Sequence, residues 1–245
     1  MTETVFALGR GAWLVGRSRF CDYPKEALAV PEVGGFADPS LEKILALRPT
    51  LVCGERGPAG PDLPAALERE HIATYFPALV GIADIEAMIE ELGAKLDARD
   101  RGKAIADGVR DELTAIHTRV GGAAPVRVVF LFDWKPLVAA GPKSFPDEVL
   151  TLAGGENVVT SGGQYPRLGP EGLLALDPEV VVDGSAGAYA EPPDVLLRQT
   201  PGLEALRAAK SGRLYRLAST AALRPGPRIA QGVAEIAAFL HPVTP

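Results

Sequence analysis

The chain has 245 residues, 23% of them charged and 6% aromatic, with 31 acids against 25 bases and a formal net charge of −6. It holds no basic block able to displace counterions from phosphate, which argues against a nucleic-acid partner. No run approaches the roughly 18 to 20 uninterrupted apolar residues that a membrane-spanning helix requires, and the length is ample for two packed lobes.

In chain order, residues 2–8 read as a short helix and 13–15 as a strand leading into the loop Arg17-Ser-Arg-Phe-Cys-Asp-Tyr-Pro24. A helix over 24–29, a turn at Gly34-Gly35, a helix carrying Glu42 and a strand over 50–53 follow. Pro and Gly crowd 57–62; a helix to Glu70 then runs into a strand over 72–76. Strands this short and apolar read as buried parallel ones in an α/β lobe. Residues 82–119 differ: apolar side chains at Ile85, Met88, Ile89, Leu92 and Leu96, then Ile105, Val109, Leu113 and Ile116, describe one long amphipathic helix bent near Gly102. Alternation resumes with a strand over 126–132, a helix over 145–152, a turn at 154–157, a helix carrying Glu171, and a strand over 180–183. A helix over 193–197, a strand over 213–217 and a helix over 227–240 close the chain.

One unit occurs in both halves. Leu41-Glu-Lys-Ile-Leu-Ala-Leu-Arg-Pro49 and Gly169-Pro-Glu-Gly-Leu-Leu-Ala-Leu-Asp-Pro178 each give a helix with an acid in its first turn, an Ala-Leu-x-Pro stop, and then a strand. The duplication predicts two Rossmann-like α/β lobes, over 1–81 and 120–245, joined by the helix over 82–119, with a ligand cleft between them. Glu42 and Glu171 sit where an acid simply favours a helix N-terminus, so a functional role needs more than their local placement. Cys21 and Cys53, at no metal-like spacing, read either as inert core thiols or as a disulfide. Gly9-Arg-Gly11 lies between a helix and a strand, the wrong context for a dinucleotide loop, and no nucleophile, base and orienting acid form a set. His71, His117 and His241 fall in three separate segments, so no metal site and no cofactor are expected. A Rossmann-type enzyme or sensor is the alternative class.

Asp22-Tyr-Pro24, the run from Gly34 to Pro49, Ala153-Gly-Gly-Glu-Asn157 and Arg224-Pro-Gly-Pro-Arg-Ile229, in this order over essentially the whole chain, resemble the substrate-binding proteins of ABC importers for vitamin B12, haem and ferric siderophores. The resemblance is strongest to the vitamin B12 branch. It implies capture without chemistry, limited closure about a rigid interlobe helix, and delivery to a dimeric permease whose arginines meet Glu42 and Glu171. It implies ligand contacts from Phe20, Tyr23, Phe36, Glu55 and Arg56 in the first lobe, and from Trp134, Tyr165, Thr220 and Arg224 in the second. Two positions depart from the B12 pattern: Glu55 stands in place of a tryptophan, and Thr220-Ala221 in place of an Asp-Trp pair. The ligand is therefore expected to be a corrinoid, a haem or another iron chelate. Family members begin with a strand that runs directly into Thr2-Glu3, and the resemblance implies that this strand and a signal peptide lie upstream of Met1. The protein is expected to be periplasmic or lipid-anchored, and a monomer unless a neighbouring copy supplies the strand.

Overall fold

The computed structural model describes residues 1–57, 61–185 and 187–242. Two compact units form, one of residues 1–108 with 225–227 and the other of 109–224 with 228–245. Residues 58–60 of the expected Pro/Gly loop lie outside the described residues.

In the first unit, helix α1 (Thr2–Ala7) is followed by a 3-10 turn (Gly11–Trp13) and another (Lys25–Ala29), then α2 (Leu41–Ala46), β1 (Leu51–Cys53), α3 (Asp62–Arg69), β2 (Ala73–Tyr75) and α4 (Ile82–Lys95). Strands β1 and β2 pair in parallel, Leu51 opposite Ala73 and Cys53 opposite Tyr75. The strand expected over 13–15 is absent. Trp13 closes the 3-10 turn with its ring 54% exposed and stacked under the Arg10 guanidinium, and extended pairing is reduced to a single bridge between Arg17 and Glu32. The core gathers Val5, Leu8, Ile44, Leu67, Ile85, Met88, Ile89 and Leu92, the last four repeating at helical spacing along α4.

The single helix expected over 82–119 is two helices, α4 and α5 (Arg99–Val120). The break is a C-terminal cap without glycine: Asp97 takes the left-handed conformation (φ 51°), and the Ala98 amide donates to the Gly93 carbonyl at 2.8 Å, the six-to-one bond of a Schellman motif. Arg10 completes the cap by donating to the carbonyls of Leu96 (2.9 Å) and Asp97 (2.6 Å), which the helix leaves without partners. Gly93 and Gly102 let the two helices touch, since a Cβ on Gly93 would lie 2.9 Å from the Gly102 Cα. Along α5, Gly102, Ala106, Val109, Leu113, Ile116 and Val120 form a buried stripe at helical period. The boundary between the units falls inside α5, whereas the sequence predicts boundaries at 81 and 119.

The second unit contains β3 (Val126–Trp134), β4 (Leu137–Ala139), α6 (Phe145–Leu152), β5 (Gly155–Asn157), β6 (Arg167–Leu168), α7 (Pro170–Leu176), β7 (Val180–Asp183), α8 (Pro193–Arg198), α9 (Arg207–Lys210), β8 (Leu214–Arg216) and α10 (Ile229–Leu240). Its sheet runs β6-β4-β3-β7-β8, with β5 also on β3. Strands β5, β7 and β8 join in parallel, whereas β4 pairs antiparallel with β3 and β6 antiparallel with β4. The expected turn at 154–157 is strand β5, whose Gly155 lies opposite Val126. Every residue of β7 is buried, as a central strand covered on both faces demands. Val129, Leu131 and Val181 pack on one side with Leu173 of α7, Leu196 and Leu197 of α8, and Ala208 of α9.

The duplicated unit is present in both: α2 leads to β1 and α7 to β7. The x of each Ala-Leu-x-Pro stop is left-handed, Arg48 at φ 48° and Asp177 at φ 40°. The following proline keeps that residue out of the right-handed helical region, so the helix ends on a single αL residue.

Candidate functional site

Ligands of open α/β sheets bind beyond the carboxyl ends of the strands. In the first unit, exposed aromatic rings are carried not by such strand ends but by the loop over 17–24 and the turn over 34–39, both ahead of β1. Phe20 is 55% exposed, Tyr23 and Phe36 44% each. Exposed large apolar side chains of this kind mark a contact surface more than a core. Phe36 is seated: a Cβ on Gly57 would fall 2.5 Å from its ring, so only glycine there leaves room for the ring against the loop after β1. Glu55 in the same loop is half-buried, and burial pushes its carboxyl above the usual range, with the amino terminus pulling the other way. Arg56 is exposed, its amide donating to the Pro77 carbonyl at 3.0 Å. Cys21 and Cys53 are both free thiols, and burial raises Cys53. The structure thus presents Phe20, Tyr23, Phe36 and Arg56 to solvent, with Glu55 set deeper.

A separate open hollow of about 610 Å³ lies where α1 ends and α4 meets α5, lined by Arg10, Asp97, Arg99 and Arg101 among others. It contains none of the residues expected to bind ligand, and two of its arginines already serve the backbone: Arg10 caps α4, and Arg101 Nε donates to the Ala7 carbonyl at 2.6 Å.

In the second unit, Trp134 departs from expectation. It is 3% exposed and packed in the core with Leu137, Leu196 and Leu197, so its ring is a structural element of the strand end and not a surface offered to a ligand. The half-buried aromatic at this end of β3 is instead Phe132. Phe132 sits at an irregularity in the β3–β4 register, between Leu131 opposite Ala139 and Asp133 opposite Val138. Its ring lies 5.0 Å from that of Phe130 and 5.4 Å from Tyr165, edge to face with the latter. Tyr165 is 54% exposed, so the three rings lead from core to surface. The signal in the sequence was the i, i+2 pair Phe130 and Phe132, which share one face of a strand. Thr220 and Arg224 flank the 3-10 turn Ala221–Leu223 and are half-buried.

A polar network ties the ends of β3, β7 and β8 together. Asp183, fully buried at the end of β7, accepts from Arg216 Nε at 2.6 Å and from the Ser185 amide at 3.0 Å. Burial alone would raise its carboxyl; the donors around it outweigh that and hold it below the usual 3.8. Trp134 Nε1 and Ser185 Oγ are buried beside it without completing a hydrogen bond, and both bias it further toward the charged form. Arg216 also reaches the carbonyls of Tyr189 (3.1 Å) and Glu191 (2.6 Å), and the Tyr189 hydroxyl donates to Asp133. That bond is the main reason Asp133 lies below the usual carboxylate range. The loop after β7 is thereby anchored to both neighbouring strands. Residues 133, 183, 189 and 216 are too far apart in sequence for the network to be read from it.

Among the described residues, no group of three or more His, Cys, Asp and Glu side chains is placed to hold a metal ion. Nor does any described helix have the length and apolarity to cross a membrane. Glu42 and Glu171 are both exposed in the first turns of α2 and α7.

Residues 1–221 match the model of a family described as periplasmic binding protein. The vitamin B12-binding protein of Vibrio parahaemolyticus is 30% identical over 238 residues, covering 96% of this chain and 84% of that protein. Among solved structures, the periplasmic haem-binding protein RhuT from Roseiflexus sp. RS-1 superimposes with a TM-score of 0.89 at 26% identity, covering 98% of this chain and 94% of the other. The periplasmic vitamin B12-binding protein BtuF of Vibrio cholerae gives 0.82 at 26% identity, with coverages of 98% and 92%. The chain belongs to the periplasmic binding protein family, whose members take a small molecule outside the cytoplasm for delivery to an importer.

Proposed function

We propose that this protein captures a corrinoid without chemical change and delivers it to the permease dimer of an ABC importer. The observation that carries the proposal is the set of exposed rings on the 17–24 loop and the 34–39 turn of the first unit, Phe20, Tyr23 and Phe36, in a chain 30% identical to a vitamin B12-binding protein over 96% of its length. A flat macrocycle gains most from aromatic surfaces that offer offset stacking and apolar burial. Tyr165, backed by Phe132, is the corresponding ring of the second unit, with Thr220 and Arg224 supplying polar contacts. Arg56 and Arg224 suit acidic groups on the ligand. The protein acts as a monomer, periplasmic or lipid-anchored.

Haem is the second reading. It is favoured by the TM-score of 0.89 to a haem-binding protein and by Glu55, a compact carboxylate in the loop after β1 where a large ring would extend the stacking surface. Titration with cyanocobalamin and with haemin, followed by intrinsic tryptophan fluorescence and calorimetry, separates the two. Saturable one-to-one binding of cobalamin supports the corrinoid; binding of haemin alone moves the assignment to haem, and binding of neither moves it to a ferric siderophore.

Glu42 and Glu171 are the proposed docking acids. Exposed ion pairs contribute little singly, but two fixed carboxylates steer and orient the protein on a two-fold partner. Glu42→Lys and Glu171→Lys are each expected to lower transport in reconstituted vesicles by roughly tenfold or more. Ligand affinity measured on the same purified variants should be unchanged, since neither acid is among the proposed ligand contacts.

A further inference from the structure

Arg19 stands between the two loops that carry the exposed rings of the first unit. Its Nη1 and Nη2 form a bidentate pair with Asp38 at 2.9 and 2.7 Å, its Nε lies 3.7 Å from Glu32, and its guanidinium stacks 5.7 Å from the centre of the Phe20 ring. Its amide donates to the Gly34 carbonyl at 2.8 Å, tying the same two loops through the backbone. Gly35 leaves room for this pair, because a Cβ there would collide with both the Asp38 carboxylate and the Arg19 guanidinium. Asp38 lies two residues beyond Phe36, in a turn closed by the Gly34–Pro39 bridge. The planar fork of arginine fixes orientation in a way that a lysine ammonium does not.

We propose that Arg19 is a positioning residue: its bidentate pair with Asp38 locks the 17–24 loop to the 34–39 turn and so holds Phe20 and Phe36 as one preorganised ligand platform. The consequence for binding rests on the reading that these rings face the ligand; the positioning itself does not. Rings held in place before binding lose less freedom when the ligand arrives, which appears as affinity.

The test uses Arg19→Met, Arg19→Lys, Asp38→Asn and Gly35→Ala, the last of which displaces the pair without changing charge. Two measurements are made. In ligand-free protein labelled with 4-fluorophenylalanine, with lines assigned by single Phe→Leu variants, the fluorine resonances of both Phe20 and Phe36 should shift in Arg19→Met and Gly35→Ala, while that of buried Phe130 stays. Unmoved Phe20 and Phe36 lines would overturn the proposal whether or not any ligand binds. In titrations with cyanocobalamin and haemin, Arg19→Met should weaken binding roughly 3- to 10-fold, with Arg19→Lys no better than halfway restored. The same change in a Phe20→Ala/Phe36→Ala background should have no further effect. A full effect of Arg19→Met in that background would sink the positioning role. Unaltered binding by the double alanine variant would instead remove the rings from the ligand surface, leaving the fluorine result to decide the clamp.

Discussion

Arg216→Met is expected to destabilise the second unit by about 3 kcal/mol, and Asp183→Asn by clearly less, although both remove the same ion pair. The asymmetry follows from burial. Asp183 is inaccessible to solvent, whereas the Arg216 side chain is 25% exposed. Removing the guanidinium leaves a buried carboxylate with one backbone donor and two imperfect side-chain donors, and also frees the carbonyls of Tyr189 and Glu191. Removing the charge of Asp183 leaves an arginine that keeps both carbonyls and part of its hydration. For a chain of this size, about 3 kcal/mol corresponds to a fall in melting temperature of roughly 6–12 °C. The pH dependence carries the same logic. With a folded-state pKa below 3.8, Asp183 contributes its stabilisation above the unfolded value, and this is lost as pH falls through the folded one. In Arg216→Met one of the donors that together outweigh burial is gone and the carboxyl moves upward, so the variant loses less stability than wild type on acidification. The gap between wild type and Arg216→Met should therefore narrow as pH falls below 3.8 in parallel melts. A constant gap would show that Arg216 acts through the Tyr189 and Glu191 carbonyls alone.

What could be read from the sequence was what rests on neighbouring residues. Ala-Leu-x-Pro fixes a helix end because its proline forbids continuation, and both copies end where expected, at Arg48 and Asp177. The apolar runs of β3 and β7 announced buried strands for the same local reason. The break between α4 and α5 escaped because the left-handed cap residue is Asp97, not glycine, and its stabilisers are distant: Arg10 reaches across 86 positions to the Leu96 carbonyl. Trp134 was misplaced because a strand-end aromatic looks the same in sequence whether it turns out or in. Here β4 follows directly and pairs back antiparallel, Trp134 opposite Leu137, and the ring is covered. The strand expected over 13–15 failed through competition, since Trp13 gains a cation–π contact with Arg10 that extended backbone would not provide. The exposed rings of the first unit were legible because they came with the resemblance; the polar groups that hold such loops in place, Arg19 and Arg216, were not, because their partners are set by tertiary contacts.

Replacing glycine by alanine at two buried or half-buried helical positions should give opposite signs. At Gly108 in α5 an added Cβ meets nothing within 4 Å, so Gly108→Ala should stabilise by about 0.5–1 kcal/mol through helix propensity alone. At Gly232 in α10 the same methyl would lie 2.5 Å from the Ala222 Cα and 2.7 Å from its Cβ, with the Ala222 amide nitrogen closer still. These are backbone neighbours that cannot swing aside, so the propensity gain is reversed and Gly232→Ala should cost about 1–3 kcal/mol. The strain falls on the 3-10 turn Ala221–Leu223, whose flanks are Thr220 and Arg224. Displacing that turn should weaken ligand binding as well as stability, while Gly108→Ala leaves affinity alone. Thermal melts and calorimetric titration on the two variants check both signs. Lost stability with full affinity in Gly232→Ala would mean that the methyl is absorbed within α10 and that the loop from Thr220 to Arg224 does not depend on this contact for its shape.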